Sequence, residues 1–277
     1  MGKLFGTDGI RGIVGEDLTH ELALKVGEAS AYVLGDEFDE ITVLIGRDTR
    51  ISGQMLSSAL ASGLMSQGAN VIDLGVIPTP AVSYLVKKYG ATMGVMISAS
   101  HNPSEYNGIK LFNSEGFKLP DETEFEIEKY LLGKAVPSTT KVGTLSTCET
   151  GIEDYVNHIV DSSNKIKENL NIVVDCAYGS ASVTAPLLFE KLNLKPTIMN
   201  YEFDGYNIND NAGSTHLEGL IERVKELNAD IGIAYDGDAD RCLMVDENGE
   251  LVDGDKIMAI SSLYLTSTPL SFVYVDS

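Results

Sequence analysis

The chain has 277 residues, 43% of them apolar and 22% charged, and carries a formal net charge of −21. That length allows one large or two medium domains with a core that needs no disulfide or metal staples. The acidity argues against nucleic acid or an anionic membrane as a partner, because both need clustered Lys and Arg.

The three cysteines (Cys148, Cys176 and Cys242) lack Cys-x-x-Cys spacing, so neither a disulfide framework nor a thiolate zinc site is expected. No leader-like or membrane-length apolar run is visible, so a cytoplasmic location is expected.

In chain order, Leu22, Val26, Ala29 and Val33 follow one helix face between Thr19 and Gly35. Residues 41–45 read as a buried strand and lead into a charged loop at 46–50. A helix is expected over 52–67, a strand over 71–74, and a helix from Thr79-Pro80 to Gly90. Residues 93–97 are again strand-like. Asp121 with Glu124 resembles a capping box that opens a helix toward Leu132. Residues 134–150, rich in Ser and Thr, read as a linker or edge segment.

The alternation then restarts, with strands expected at 172–174, 197–199 and 231–234 and helices at 183–192 and 217–227. Asn248-Gly249 between two apolar runs predicts a two-residue hairpin. The pattern predicts an α/β fold with two consecutive mixed or parallel-sheet domains, 1–150 and 151–253, and the start of a third over 254–277. In such sheets ligands bind at the carboxyl ends of the strands.

Four segments carry chemistry. Ser98-Ala99-Ser100-His101-Asn102-Pro103 directly follows a buried strand, and a serine nucleophile there needs a base or a metal to activate it. An ordinary Ser/Asn/Pro turn is the structural alternative. Asp236-Gly237-Asp238-Ala239-Asp240-Arg241 places carboxylates at i, i+2 and i+4, on one side of an extended chain. Their mutual repulsion calls for a cation, and oxygen ligands suit Mg²⁺ or Ca²⁺ rather than zinc. An EF-hand reading puts Glu247 at position twelve but finds Arg241 where glycine is required. Phe5-Gly6-Thr7-Asp8-Gly9-Ile10-Arg11-Gly12 is a glycine-rich loop able to cradle phosphate, with Arg11 adding bidentate contacts. Lys110 lies just after the serine loop and could neutralise a phosphate or move a proton.

Together these segments resemble the α-D-phosphohexomutase family over about residues 4–260. The opening Phe-Gly-Thr-Asp-Gly-Ile-Arg-Gly and the run Gly46-Arg47-Asp48-Thr49-Arg50-Ile51-Ser52-Gly53 are most like the branch that acts on glucosamine phosphates. The resemblance implies an isomerase with phosphoserine at Ser100 and one Mg²⁺ held by Asp236, Asp238, Asp240 and an oxygen of that phosphate. Arg11, Lys110 and Arg241 would surround the phosphate, Lys110 or His101 would assist proton transfer, and Ser98 would be a neighbour. The implied reaction interconverts glucosamine 6-phosphate and glucosamine 1-phosphate through a bisphosphate, a step toward UDP-N-acetylglucosamine. Relatives acting on glucose or mannose phosphates, and a non-catalytic metal or sugar-phosphate binder, are the alternatives. Family members have four domains, whereas the resemblance here covers two and the opening of a third, and the tail from about Thr266 is unlike the family, so impaired turnover and exposed apolar surface are expected. Oligomeric state is not legible from the sequence.

Overall fold

In the computed structural model, residues 4–163 and 170–266 are described. The first unit contains β1 (Ile10–Ile13), α1 (His20–Leu34), β2 (Thr42–Arg47), α2 (Ser52–Ser66), β3 (Asn70–Val76), α3 (Thr79–Tyr89) and β4 (Met93–Ile97). It continues through β5 (Tyr106–Phe112), α4 (Asp121–Leu131) and β6 (Leu145–Thr147). The second contains α5 (Gly151–Ser162), β7 (Ile172–Asp175), α6 (Ala181–Lys191), β8 (Thr197–Met199), α7 (Glu218–Leu227), β9 (Ile231–Tyr235), β10 (Cys242–Asp246) and β11 (Leu251–Val252). A mostly exposed helix, α8 (Gly254–Thr266), comes last. Of the segment 254–277 expected to open a third domain, residues 267–277 lie outside the described residues.

The first sheet has the order β1-β5-β4-β2-β3-β6, and the second β11-β10-β9-β7-β8. In each, the central strands are parallel and the strand after the last parallel one turns back antiparallel. The two units therefore repeat one plan: β-α-β-α-β, then a loop, then an antiparallel strand. The neighbour order β5-β4-β2-β3 matches β10-β9-β7-β8. The serine loop follows β4, and the aspartate loop follows β9.

Apolar side chains on both faces of the sheets explain the layering. Val43, Ile45, Val95 and Ile97 pack beneath α1, α2 and α4, whereas Leu44 and Met96 face α3. In the second unit Val174 lies in the cluster with α6, and Val173 in the cluster with α7. Helix α5 touches both α3 and α6 and so bridges the units.

Local rules account for the ends of several elements. Thr19 caps α1, its Oγ1 accepting from the Leu22 amide at 3.2 Å. Gly90 ends α3 at φ 64°, a left-handed position that suits glycine.

The structure corrects some expectations. Asp121 and Glu124 do not form a capping box: Pro120 occupies the cap position, and both carboxylates bind Lys118 instead. The hairpin turn holds three residues, 247–249, closed by Asp246 and Glu250, with Gly249 at φ 82°. Ile10–Ile13, overlapping the glycine-rich segment expected to be a loop, and Tyr106–Phe112, for which no element was expected, are paired strands.

Helices α1 and α2 meet through Gly27 and Gly63. A Cβ on Gly63 would lie 2.0 Å from the Leu24 carbonyl oxygen, and one on Gly27 2.2 Å from that of Leu60. Backbone cannot yield as a flexible side chain can, so Gly63→Ala is expected to destabilise the protein by about 1–3 kcal/mol. Chemical denaturation would show this as a lower midpoint at unchanged slope; an unshifted midpoint would refute the close-packing account.

Candidate active site at the junction of the two units

The serine loop leaves β4 and the aspartate loop leaves β9, and they meet face to face. Ser100 is 0% exposed and adopts φ 54°. A left-handed conformation costs a non-glycine residue roughly 1–2 kcal/mol, so its surroundings must hold it. Its Oγ donates to Asp236 Oδ2 at 2.5 Å, a bond between residues 136 positions apart. Its amide donates to Ser98 Oγ at 2.9 Å, and Ser98 Oγ donates in turn to buried Asp48 at 2.6 Å.

The aspartates converge by a turn rather than along an extended chain, as the spacing had suggested. The Ala239 amide donates to the Asp236 carbonyl at 3.0 Å, and Ala239 sits at φ 55°. One oxygen of each of Asp236, Asp238 and Asp240 then lies within 4.8 Å of the others. The loop is packed tightly from below: a Cβ on Gly179 would come 2.4 Å from the Gly237 carbonyl oxygen. Glu247 lies beyond β10 in the hairpin turn, so no EF-hand loop encloses these carboxylates.

Lys110 projects from β5 and is almost wholly buried. Its Nζ lies 2.9 Å from Asp238, 3.1 Å from Asp240 and 3.1 Å from Asp8. Burial alone would lower the lysine pKa, but these three carboxylates outweigh it and hold the ammonium above the usual range. Burial also pushes Asp236 up to about 7, helped by Asp238 and Asp240. Asp238 resists the same burial penalty because Lys110 and the Thr79 hydroxyl, 2.6 Å away, hold it below the usual carboxylate range. Asp240 is raised, chiefly by burial and by Asp238.

The donor set fits a hard divalent cation. Three carboxylates converge, and Asp238 Oδ1 is buried without a hydrogen-bond partner. A buried carboxylate oxygen left unsatisfied is costly, and a metal would satisfy it. Oxygen-only donors suit Mg²⁺ or Ca²⁺.

Of the expected site residues, Ser100, Lys110, Asp236, Asp238 and Asp240 thus form one cluster. Arg11 reaches it through Asp8, which bonds Arg11 and contacts Lys110. His101 and Arg241 form a second group at the rim, His101 Nδ1 lying 3.2 Å from Arg241 Nη1. Burial, then Arg241 and Arg11, lower the His101 pKa and favour the neutral ring. A cavity of about 510 Å³ opens beside His101, between Pro103 and the segment from Tyr206 to His216. Thr79, Asp8, Asp48, Arg50 and Asn209 also serve the site but were not singled out from sequence. Asp8 lies within the glycine-rich opening loop and Asp48 and Arg50 within the charged run at 46–50, so those two segments carried the signal for them, whereas nothing local marked Thr79 or Asn209 for the site.

Comparison with known proteins agrees with this layout. Residues 2–135 match the family model for "Phosphoglucomutase/phosphomannomutase, alpha/beta/alpha domain I", and residues 153–249 match that for domain II. The chain is 51% identical over 270 residues to a phosphoglucosamine mutase of Ruminiclostridium cellulolyticum, covering 96% of this chain and 60% of that protein. It is 49% identical over 269 residues to the enzyme of that name from Clostridium acetobutylicum, with the same coverages. The chain thus spans about 60% of the length of these curated relatives. Among solved structures, a phosphoglucomutase/phosphomannomutase family protein from Burkholderia thailandensis superposes with a TM-score of 0.84 at 28% identity, over 96% of this chain and 59% of that one. The parafusin phosphoglucomutase of Paramecium shares the fold, with a TM-score of 0.79 at 18% identity over 96% of this chain and 56% of that one. Among the described residues no helix is long and apolar enough to cross a membrane.

Proposed function

The chain belongs to the phosphoglucomutase/phosphomannomutase family, and we propose that it carries the phosphoryl-transfer half of a phosphoglucosamine mutase, with Ser100 as the nucleophile. The observation that carries this reading is the bond from Ser100 Oγ to Asp236 across the two units, beside a carboxylate triad with one buried lysine. About 50% identity to proteins named phosphoglucosamine mutase favours glucosamine phosphates over glucose or mannose phosphates as substrates.

Asp236, Asp238 and Asp240, together with an oxygen on Ser100, would hold one Mg²⁺. When bound, the ion supplies charge withdrawal from a transferring phosphoryl group. The chain's own residues do the rest. A sugar hydroxyl oxygen attacks the phosphorus carried on Ser100, and the bond from phosphorus to Ser100 Oγ breaks. The neutral His101 ring accepts the hydroxyl proton at Nδ1 as it releases Arg241. Lys110, held protonated, and Arg11 offset the charge of the phosphoryl oxygens. Burial of Ser100 excludes water as a competing acceptor. The resulting bisphosphate returns its other phosphate to Ser100, which completes the isomerisation. We assign residues 1–150 and 151–253 to the family's first two domains, and 254–266 to the opening of the third.

The test is tandem mass spectrometry of the chain after incubation with Mg²⁺ and a hexosamine bisphosphate. Phosphate on Ser100 is the expected result. Phosphate on Ser98 would overturn the residue assignment, and no phosphate with or without Mg²⁺ would overturn transfer by this chain.

A further inference from the structure

We infer that Arg50 and Asn209 are positioning residues that jointly hold the Ser100 backbone, so that the aim of the nucleophile depends on the second unit being docked on the first. The inference rests on Ser100 being the nucleophile. It concerns residues that touch neither the triad nor the reacting oxygen.

Arg50 is fully buried, and its donors spread over the serine loop. Nη2 donates to the carbonyls of Ser100 at 2.9 Å and Asn102 at 2.8 Å. Nη1 donates to the Tyr106 carbonyl at 3.1 Å and to that of Pro103. Nε donates to Asp48 Oδ2 at 2.9 Å, with both side chains 0% exposed. The fixed fork of a guanidinium suits such a task, whereas a lysine would supply one mobile donor group.

Asn209 comes from the second unit and is also buried. Its Nδ2 donates to the same two carbonyls, Ser100 at 2.9 Å and Asn102 at 3.0 Å. Two side chains from different units therefore grip one pair of carbonyls. The amide of Ser100 is tied back to the same centre, through Ser98 Oγ to Asp48 and so to Arg50. With both its polar backbone groups fixed, Ser100 can persist at φ 54° and aim Oγ at Asp236.

This grip couples the units. Ile51, next to Arg50, donates its amide to the Gly205 carbonyl at 2.9 Å, four residues before Asn209. Thr49 Oγ1 donates to the Tyr178 carbonyl at 2.6 Å. The run Thr49-Arg50-Ile51 thus binds both the serine loop and the second unit. Separating the units would remove the Asn209 half of the grip and the Asp236 partner together.

The test compares Asn209→Ala and Arg50→Lys with the parent chain. Single-turnover phosphorylation of Ser100 by a hexosamine bisphosphate with Mg²⁺ gives a maximal rate and a half-saturating concentration. Hydrogen exchange of the segment 98–106 is followed in parallel. A positioning role predicts a maximal rate lowered at least about tenfold, a half-saturating concentration changed less than twofold, and faster exchange confined to 98–106. Asn209→Ala keeps the buried ion pair and guards against the misfolding that Arg50→Lys could cause. A maximal rate within twofold of the parent in Asn209→Ala, or a loss carried by the half-saturating concentration, would overturn the inference. If the parent itself takes no phosphate, the functional reading fails while exchange still decides this one: faster exchange in 98–106 sustains it and unchanged exchange sinks it.

Discussion

Replacing Ser100 with Ala is expected to abolish phosphoryl uptake from a hexosamine bisphosphate, a fall of at least ~10⁴-fold, because no other hydroxyl can take over a nucleophile's place in a preorganised site. The neighbouring serine sharpens the test. Ser98 Oγ is committed to Asp48 and to the Ser100 amide, whereas Ser100 Oγ bonds the triad directly. Ser98→Ala should therefore slow uptake by roughly 10- to 100-fold through lost alignment, while leaving the phosphate on Ser100. Single-turnover kinetics with site-localised mass spectrometry separates the two cases. Undiminished uptake in Ser100→Ala would remove Ser100 from the mechanism.

Lys110→Met should have the largest effect on stability. In the metal-free protein Lys110 is the cation nearest to Asp238, and both are buried. Removing one partner of a buried pair strands the other, at a cost of about 3–5 kcal/mol. The expected pH dependence reverses between parent and variant. In the parent, Asp238 titrates below its unfolded value, so its contribution is present at neutral pH and fades as pH falls through the native pKa. Without Lys110, burial dominates and the carboxylate titrates above its unfolded value. The deficit is then greatest at high pH and shrinks on acidification as the triad takes up protons. Mg²⁺ should restore part of the loss, since it supplies the missing positive charge and binds only the folded triad. Denaturation at several pH values, with and without Mg²⁺, checks this. A deficit that grows toward acid, or that ignores Mg²⁺, would refute Lys110 as the triad's counter-charge.

Much of the architecture was legible because apolar runs and breakers are local. Thr19 and Gly35 bracket α1, Thr79-Pro80 and Gly90 bracket α3, and the serine and aspartate loops each follow an apolar strand, β4 buried throughout and β9 at alternate residues. The serine loop and the carboxylate triad were legible for the same reason, since each motif is contiguous in the chain. The misses share a different origin. In Tyr106–Phe112, Asn107, Gly108 and Lys110 break the apolar alternation that marks a strand, yet all three are buried. Local patterning fails there because a lysine, paired with three carboxylates, occupies a core-facing position. The edge strand Leu145–Thr147 falls within the stretch read as a linker or edge segment, but it is exposed throughout, so no apolar face marks its bounds. Arg50, Asn209 and Thr79 act across 50 to 159 positions of sequence, and no periodicity encodes which carbonyl or carboxylate a side chain will reach.

The common plan of the two units bears on which changes in length the chain can absorb. The serine loop and the aspartate loop are each an insert mounted between a parallel strand and its antiparallel neighbour, and the two mounts fix where the inserts meet. One added residue of extended chain displaces the remainder of its loop by about 3.3 Å, which exceeds the whole 2.5 Å separation of Ser100 Oγ and Asp236 Oδ2. Substitutions at these loops can be tuned by neighbouring side chains, but insertions and deletions cannot. Changes in chain length are therefore expected to be absorbed away from these loops, at exposed surface such as residues 137–140, and drift in chain length becomes a map of where chemistry is absent.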